Sequence, residues 1–477
     1  MNPYKQIWVA LLVLIAIPVW AQVENTNPQP GSQVADSDST SVTPGVNVLD
    51  TTSDTTDVGN LLPPSAQDRM VIPQPVAGPV FPVVLTSQER SNYLRGGLTF
   101  MSAYTDNALA SLENTPVSDV SYSVAPIVAL DETTPREHLI LTYAPGFTFY
   151  QRTTSLNASD QNALIAFQYR LSPHVTFSAT DGFQKSSSVF NQPDLTSAGL
   201  VNGGVVGANF SVIAPIADRL SNSGTAGLTY QFARNEMIGA SGTFSNLHYP
   251  NPAQVPGLSD SGSQAGLAFY SLRLSSNQYF GQSYQYQRLV SYPTGGMSET
   301  QTQAALLFYT VYPVKGFSLS LFGGPQYSNT VQPLPQLPSR LWTPAGGASM
   351  SWQGLLNSCA VSFIHTISGG SGLVGAVQMD DASTSLWQQI TKSLSGTLSG
   401  GYVQNNVLGV SLFGSRSGHS ISGTASLLQQ FGQHVALQLG YTRLYQSYSS
   451  VAVLSSNPNT NREFITLSYQ FARALGR

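Results

Sequence analysis

Residues 461–471 read Asn-Arg-Glu-Phe-Ile-Thr-Leu-Ser-Tyr-Gln-Phe. Apolar and polar positions alternate in this stretch, the apolar set being Ile465, Leu467, Tyr469 and Phe471 and the polar set Thr466, Ser468 and Gln470. Successive side chains of a β-strand point to opposite faces, so this alternation predicts a strand with one apolar and one polar face. The aliphatic residues come before the aromatic ones, an order that suits a strand facing lipid with its rings at the headgroup level.

The composition of the whole chain favours the same kind of structure. Charged residues are 9% of the 477, whereas a soluble domain carries about 25%, and the mean hydropathy is only −0.03. Low charge without long apolar runs argues against a soluble surface and also against a bundle of membrane-spanning helices. A closed sheet with one face in lipid and the other in water meets both conditions.

Charge and cysteine content exclude several classes of function. Residues 22–90 hold eight acidic and two basic side chains, while the part that follows is close to neutral, so no nucleic-acid-binding surface is predicted. Cys359 is the single cysteine of the sequence. An internal disulfide framework and a zinc site built from several cysteines are therefore both excluded.

The first part of the chain divides into two segments. Residues 1–21 have the features of a secretory signal peptide, because Lys5 precedes an apolar run and Ala21 ends it at a plausible cleavage site. An uncleaved anchor helix is the alternative, although the apolar run is shorter than the roughly 20 residues needed to span a bilayer. Residues 22–91 are rich in Pro, Ser, Thr and Asp and lack an apolar pattern, which predicts a disordered linker.

From Tyr93 onward the chain consists of alternating segments separated by turn residues. The connections alternate between tight turns, such as those near 172–173 and 234–236, and longer loops, such as 189–222. Transmembrane barrels have this asymmetry, with short periplasmic turns and longer outer loops. Residues 92–477 are therefore predicted to form an all-β, antiparallel up-and-down transmembrane β-barrel of about 18 strands, within a range of 16–18.

The end of the predicted last strand adds a resemblance to a known class. Tyr469, Gln470 and Phe471 form a tripeptide similar to the C-terminal signature of Gram-negative outer-membrane β-barrel proteins, and the chain resembles a porin-like member of that class. The resemblance implies a location in the outer membrane, contact with its lipid, and recognition of Tyr469 and Phe471 by the barrel assembly machinery. The same Tyr-Gln-Phe-Ala-Arg sequence occurs at 230–234 and 469–473, where a strand reaches a turn or the chain end.

No catalytic, cofactor-binding or metal-binding residue is predicted. The six histidines are not at metal-ligand spacing. Ser417 and His419 could share a strand face, but the sequence offers no third residue to orient the histidine. Residues 370–375 fit a dinucleotide-binding spacing without the helix that gives it meaning, so they are interpreted as an outer loop. Asp380 and Asp381 are interpreted as solvated acids of a rim or loop rather than as a calcium site.

Two features of the predicted barrel bear on function. The connection 189–222 contains an apolar, uncharged stretch, so it could fold into the lumen and narrow it, or form an outer cap or an extra hairpin instead. The presumed inward faces carry Gln285, Gln287 and Gln438, with Tyr279 nearby. Neutral hydrogen-bonding groups of this kind suit uncharged solutes, although they are also ordinary water-lining residues.

The sequence therefore predicts a porin-like outer-membrane channel for passive diffusion of small, largely uncharged solutes, with no cofactor. A barrel of about 18 strands is wide enough for an aqueous channel. The alternative is a structural or surface-contact barrel with a closed lumen, whose long outer loops bind a partner. A barrel enzyme would need a coherent catalytic triad, and a receptor would need a plug domain that residues 22–91 are too short and too polar to form.

Overall fold

The computed structural model describes Met70, Pro73 and residues 92–474, with gaps at 110–114, 189–215, 252–258, 293–295, 315, 332–338, 370–375, 409–416 and 449–458. These residues form eighteen β-strands. The strands are β1 (Tyr93–Thr105), β2 (Asp119–Thr133), β3 (Glu137–Tyr150), β4 (Ala158–Arg170), β5 (Val175–Ser188), β6 (Ile216–Ala233), β7 (Glu236–His248), β8 (Asp260–Ser275), β9 (Gln278–Tyr292), β10 (Ser298–Val311), β11 (Phe317–Val331), β12 (Ser339–Gln353), β13 (Asn357–Gly369), β14 (Ala376–Gln389), β15 (Leu394–Val407), β16 (Ser417–Phe431), β17 (Val435–Tyr448) and β18 (Asn459–Ala474).

The strands form one closed antiparallel sheet. Each strand pairs with its neighbours in chain order, and β1 pairs with both β2 and β18. The closing seam runs from Tyr93 opposite Ala474 to Thr105 opposite Arg462. The predicted antiparallel up-and-down barrel is therefore confirmed at 18 strands. Within the described ranges, no helix is long and apolar enough to cross a membrane.

The closing seam depends on a glycine beneath an aromatic ring. A Cβ atom placed on Gly96 of β1 would lie 2.4 Å from Cζ of Phe471 on β18. Only glycine therefore lets this ring lie flat across the neighbouring strand, and the contact helps to fix the register in which the barrel closes. The same packing occurs between Gly440 and Phe464, where the added Cβ would lie 2.1 Å from the ring.

Short and long connections lie at opposite ends of the barrel, as predicted. The short-turn end carries the connections 134–136, 171–174, 234–235, 276–277, 312–316, 354–356, 390–393 and 432–434. One predicted boundary was wrong: residues 216–222 belong to β6 rather than to a loop, because they pair with the end of β5. Residues 189–215 of that predicted loop lie outside the described residues. So do the predicted signal peptide and, apart from Met70 and Pro73, the predicted linker up to residue 91.

The outer wall of the barrel is apolar on every strand. In β18 the predicted alternation is confirmed, with Leu467 48% and Ile465 54% exposed on the outside and Ser468 only 6% exposed on the inside. Each of the other strands also carries at least one large apolar side chain that is exposed. A belt that surrounds the whole molecule is covered by lipid rather than by a local partner, because an exposed apolar surface of this size is unstable in water.

Aromatic side chains border this belt at both ends. Tyr469 and Phe471 lie toward the short-turn end and are 51% and 49% exposed. Toward the long-loop end, the ring of His419 lies between those of Tyr402 and Tyr445, with centroid separations of 6.4 and 5.6 Å. Aromatic girdles at these two levels are typical of a barrel that spans a bilayer.

Candidate functional site

The candidate functional site is the lumen, which is lined by the inward-facing side chains of the strands. Serine and threonine hydroxyls form pairs across adjacent strands, with oxygen–oxygen separations of 2.6–3.1 Å. These pairs are Ser123–Thr148, Thr225–Thr243, Ser245–Ser263, Thr310–Ser320, Ser362–Ser383 and Thr424–Thr442. Each hydroxyl can both donate and accept, so the pairs form a polar wall that carries no charge.

The glutamines predicted to face inward do so. Gln285 and Gln287 alternate on β9 with the outward, exposed rings of Tyr284 and Tyr286. Gln438 of β17 donates from Nε2 to Oγ of Ser426 on β16 at 3.1 Å. Tyr279 also faces inward, but it is 4% exposed, so it belongs to a packed cluster rather than to a water-lined surface.

Charged side chains that face inward lie almost entirely at the two ends of the lumen. Among the described residues these are Arg95, Asp119, Asp131, Asp160, Arg170, Arg219, Arg273, Asp381 and Arg462. All except Asp381 lie within four residues of a strand end. Asp381 lies near the middle of β14, opposite Ile364 and Val403 on the neighbouring strands. The central part of the lumen is therefore lined by neutral groups, with Asp381 as its charged member.

At the long-loop end, the inward-facing side chains are nearly inaccessible. Asp160 is 1% and Arg219 is 3% exposed, and the two interact electrostatically. Oδ1 of Asp160 also accepts hydrogen bonds from the backbone N–H and hydroxyl of Ser187 at 2.8 and 3.0 Å. Tyr249, just beyond β7, lies close to the Arg219 guanidinium, and burial raises the pKa of its hydroxyl to about 12. This end of the lumen is closely covered.

The outer part of the β13–β14 hairpin bends into the lumen. β12 pairs with β13 only from Gly346 opposite His365 toward the short-turn end, so Ser339–Ala345 of β12 have no partner on β13. β13 itself continues in register with β14 to Gly369. The pairing between β12 and β13 therefore ends at this point, while β14 stays paired with β15 as far as Val377 opposite Val407. The free edge is that of β13, which bends inward with β14. We call this part of β13 and β14, residues 366–369 and 376–379, the inward fold.

The inward fold packs against the lumen surface of the neighbouring wall. Ile367 is 2% exposed and lies in an apolar cluster with Leu289 of β9, Ala376 and Leu408. The backbone N–H of Ile367 donates to Oε1 of the inward-facing Gln326 on β11 at 3.3 Å. Next to this cluster, Thr300 of β10, which pairs with Leu289, is 1% exposed, and its hydroxyl partner Thr330 of β11 is 2% exposed. The lumen is thus narrowed by a hairpin of the wall itself.

The opposite part of the wall remains open. Ser178 and Thr180 on β5 and Ser223 on β6 face inward and are exposed. Thr180 and Ser223 lie near the middle of their strands, and Ser178 is the fourth residue of β5. The accessible lumen therefore lies beside β5 and β6, on the side away from the inward fold, and its surface there consists of hydroxyl groups.

A histidine–carboxylate pair lies where the inward fold begins. Nδ1 of His365 is 2.5 Å from Oδ1 of Asp380, and its Nε2 is 2.9 Å from Nε2 of Gln378. Because Nε2 contacts an amide rather than a hydroxyl, the pair does not activate a nucleophile; it holds β13 to β14 at the bend. Asp380 and Asp381 lie in β14, not in a loop as predicted, and they point to opposite faces, so they cannot chelate one cation.

The described residues contain no cluster of histidine, cysteine and acidic side chains that could hold a metal ion. His138 and His248 each contact a nearby aspartate, Asp131 at 3.2 Å and Asp260 at 2.6 Å. Ser417 and His419 do share a face of β16, but it is the outward one, where His419 lies in the aromatic girdle rather than in the lumen. Residues 370–375, with the dinucleotide-like spacing, lie outside the described residues.

Comparisons with known proteins gave matches among solved structures alone. No protein-family model matches the chain, and no curated protein matches it. Among solved structures, the outer membrane protein OpdK of Pseudomonas aeruginosa aligns with 80% of this chain and 99% of its own, at 10% identity and a TM-score of 0.37. OpdQ of the same species gives the same coverage and identity, with a TM-score of 0.39. The alcaligin outer-membrane receptor FauA of Bordetella pertussis aligns over 79% and 76%, at 10% identity and 0.35.

At this distance the likeness carries no argument about function, so the assignment depends on the barrel itself. A single chain with an even number of strands forms a closed antiparallel sheet, short turns lie at one end, and an apolar belt with aromatic girdles surrounds the outside. These are the properties of bacterial outer-membrane barrels, because a closed sheet satisfies every backbone group within lipid. The chain is accordingly a closed β-barrel of 18 strands with the architecture that is typical of bacterial outer-membrane proteins.

Proposed function

We propose that the barrel is a channel for passive diffusion of small, largely uncharged solutes across the outer membrane. The observation that supports this most directly is the neutral centre of the lumen, where hydroxyl and amide groups alternate with apolar side chains such as Ile127 and Leu306. Asp381 is the charged exception among the described residues. The hydroxyl and amide groups exchange hydrogen bonds with water and with sugar-like hydroxyls without holding either tightly. A barrel of this strand number also has room for an aqueous path.

Selectivity in this proposal comes from width and wall polarity. The inward fold leaves the accessible lumen beside β5 and β6, where Ser178, Thr180 and Ser223 are exposed. A solute passing there meets hydroxyls on one side and the inward fold on the other. The described lumen residues form no site with several convergent contacts to a solute, so the flux is expected to rise in proportion to the solute gradient without saturation.

Conductance of the purified full-length protein in a planar lipid bilayer tests the proposal. We expect discrete current steps in potassium chloride, and liposome-swelling rates that fall as the size of a neutral sugar increases. A bilayer that stays closed at all voltages, together with vesicles that exclude every sugar, would rule out a diffusion channel.

Asp381 is predicted to set the small charge preference of the lumen. Asp381→Asn should shift the reversal potential in a salt gradient to the value of a channel without cation preference. Asp381→Lys should shift the reversal potential further, to that of an anion-preferring channel. Both effects are expected because residue 381 lies in the otherwise uncharged central section. Glu463→Gln is the matched control, since Glu463 faces outward on β18 and is exposed. Equal shifts for the lumen and outward substitutions would contradict this assignment.

A second candidate is a structural or surface-contact barrel with a closed lumen. The observation that favours it is the coverage of the long-loop end, where Asp160, Arg219 and Tyr448 are almost fully buried. It predicts no conductance and a partner bound by the outer loops, so the bilayer experiment distinguishes the closed barrel from the diffusion channel.

We also propose that the barrel is not an enzyme. In support, no described histidine has both a hydroxyl partner and an acidic partner.

We propose further that the barrel assembly machinery recognises β18 through Tyr469 and Phe471. Both side chains face outward and are about half exposed, and β18 is the strand that closes the barrel on β1. Phe471→Ser should lower the amount of folded protein in the outer membrane, measured as the heat-modifiable band on a gel. The same loss from Phe431→Ser, an exposed ring on β16, would show that the effect is not specific to β18.

A further inference from the structure

The short-turn end of the lumen contains an apolar cluster that includes a residue from outside the barrel. Met70 precedes β1 in the chain, yet it is 6% exposed and packs with Met237 of β7, Phe269 of β8, Tyr279 of β9 and Phe308 of β10. These four side chains face inward. Met237 and Tyr279 are the second residues of their strands, next to short turns, so the cluster lies at the short-turn mouth.

The contact includes a directed hydrogen bond. The backbone N–H of Met70 donates to Oε1 of Gln231 on β6 at 3.0 Å. Nε2 of the same glutamine donates to the backbone carbonyl of Arg234, in the turn that follows, at 3.1 Å. The turn therefore holds the amide with its oxygen toward Met70. Pro73, the next described residue along the chain, is also buried.

We propose that the short-turn mouth holds a binding site for the protein's own N-terminal segment, and we call this site the Met70 seat. It is formed by Gln231, Met237, Phe269, Tyr279 and Phe308. The ligand it takes is an extended chain that presents one apolar side chain and one backbone N–H. Methionine suits an aromatic-lined cluster because its thioether is flexible and makes favourable contacts with ring edges.

The wall is shaped to form this seat. A Cβ atom on Gly239 would lie 2.3 Å from the ring of Phe269, and one on Gly281 would lie 2.3 Å from the ring of Phe308. Glycine at both positions therefore lets the rings lie across the neighbouring strand. Tyr312 packs at the edge, 6.0 Å between ring centroids from Tyr279, and burial raises the pKa of its hydroxyl to about 12. The seat is uncharged in a mouth that is otherwise polar.

The seat lies on the wall of the short-turn mouth opposite β1. The strand order forms a ring in which β10 lies nine strands from β1 in either direction. Phe308 of β10 belongs to the cluster that includes Met70, whereas Tyr93 begins β1 on the opposite wall.

Cysteine labelling of the full-length, folded protein tests the seat. In a Cys359→Ser background, Met70→Cys should react with a charged, membrane-impermeant thiol reagent at least about tenfold more slowly than Leu355→Cys. Leu355 lies in a short turn at the same end and is 92% exposed. Phe308→Ser should raise the rate at Met70→Cys, and so should Gln231→Met, which keeps the side-chain volume and removes the acceptor. Equal rates at both cysteines, or no response to either wall substitution, would overturn the proposal.

Discussion

Leu467→Lys is expected to destabilise the folded barrel by about 2–4 kcal/mol, the cost of a lysine on the lipid face near the bilayer midplane. Leu467 is 48% exposed on the outside of β18, between the outward-facing Glu463 and the girdle residue Tyr469. These two polar boundaries place Leu467 inside the hydrocarbon layer, where a charged side chain finds neither water nor a partner. Urea titration of the protein in lipid vesicles, followed by tryptophan fluorescence, measures the loss.

Thr466→Lys is the matched control for this prediction. Thr466 is the preceding residue on the same strand, and it faces the lumen beside Met101 and Gln438 on the neighbouring strands. A lysine at position 466 reaches water in the lumen, so the urea midpoint of the Thr466→Lys variant should stay close to that of the wild type. If both substitutions lower the unfolding midpoint equally, then lipid does not cover the outer face and the membrane assignment is wrong.

The outer wall could be predicted from the sequence because its signal is local. In β18, alternating side chains distinguish the two faces without knowledge of any other strand, and the aromatic residues at its end locate the girdle. Turn residues mark where each strand reverses, which is why the number of strands was predicted correctly. The neutral, glutamine-containing lumen followed from the same alternation in β9 and β17.

The features inside the lumen could not be predicted, since they depend on contacts between distant residues. Ile367 alternates like any strand residue, and only the lost pairing with β12 and the cluster around Leu289 show that β13 bends into the lumen. Asp380 and Asp381 were interpreted as rim or loop residues because adjacent acids are common there. Met70 stands alone in a Pro-rich, polar segment, so nothing in the local pattern distinguishes it as an anchor.

Ile367→Ala is expected to release the inward fold. Truncating a fully buried isoleucine costs about 2–5 kcal/mol, and the Ile367 side chain packs in the cluster that attaches the inward fold to β9. A change of one to two kcal/mol already alters a two-state population about 5–30-fold. The released hairpin should give faster amide hydrogen exchange in β13 beyond His365. In a bilayer, the open-state conductance should rise severalfold.

Two further variants separate release of the inward fold from general damage to the barrel. Val361→Ala removes a similar volume from the same strand at an outward, 42% exposed position, so it should leave exchange beyond His365 unchanged. Gln326→Met removes the acceptor for the Ile367 N–H while keeping the side-chain volume, so it should loosen the fold less than Ile367→Ala. If Ile367→Ala exchanges no faster than Val361→Ala in this region, the cluster with Leu289 does not hold the hairpin, and the lumen width must be set elsewhere.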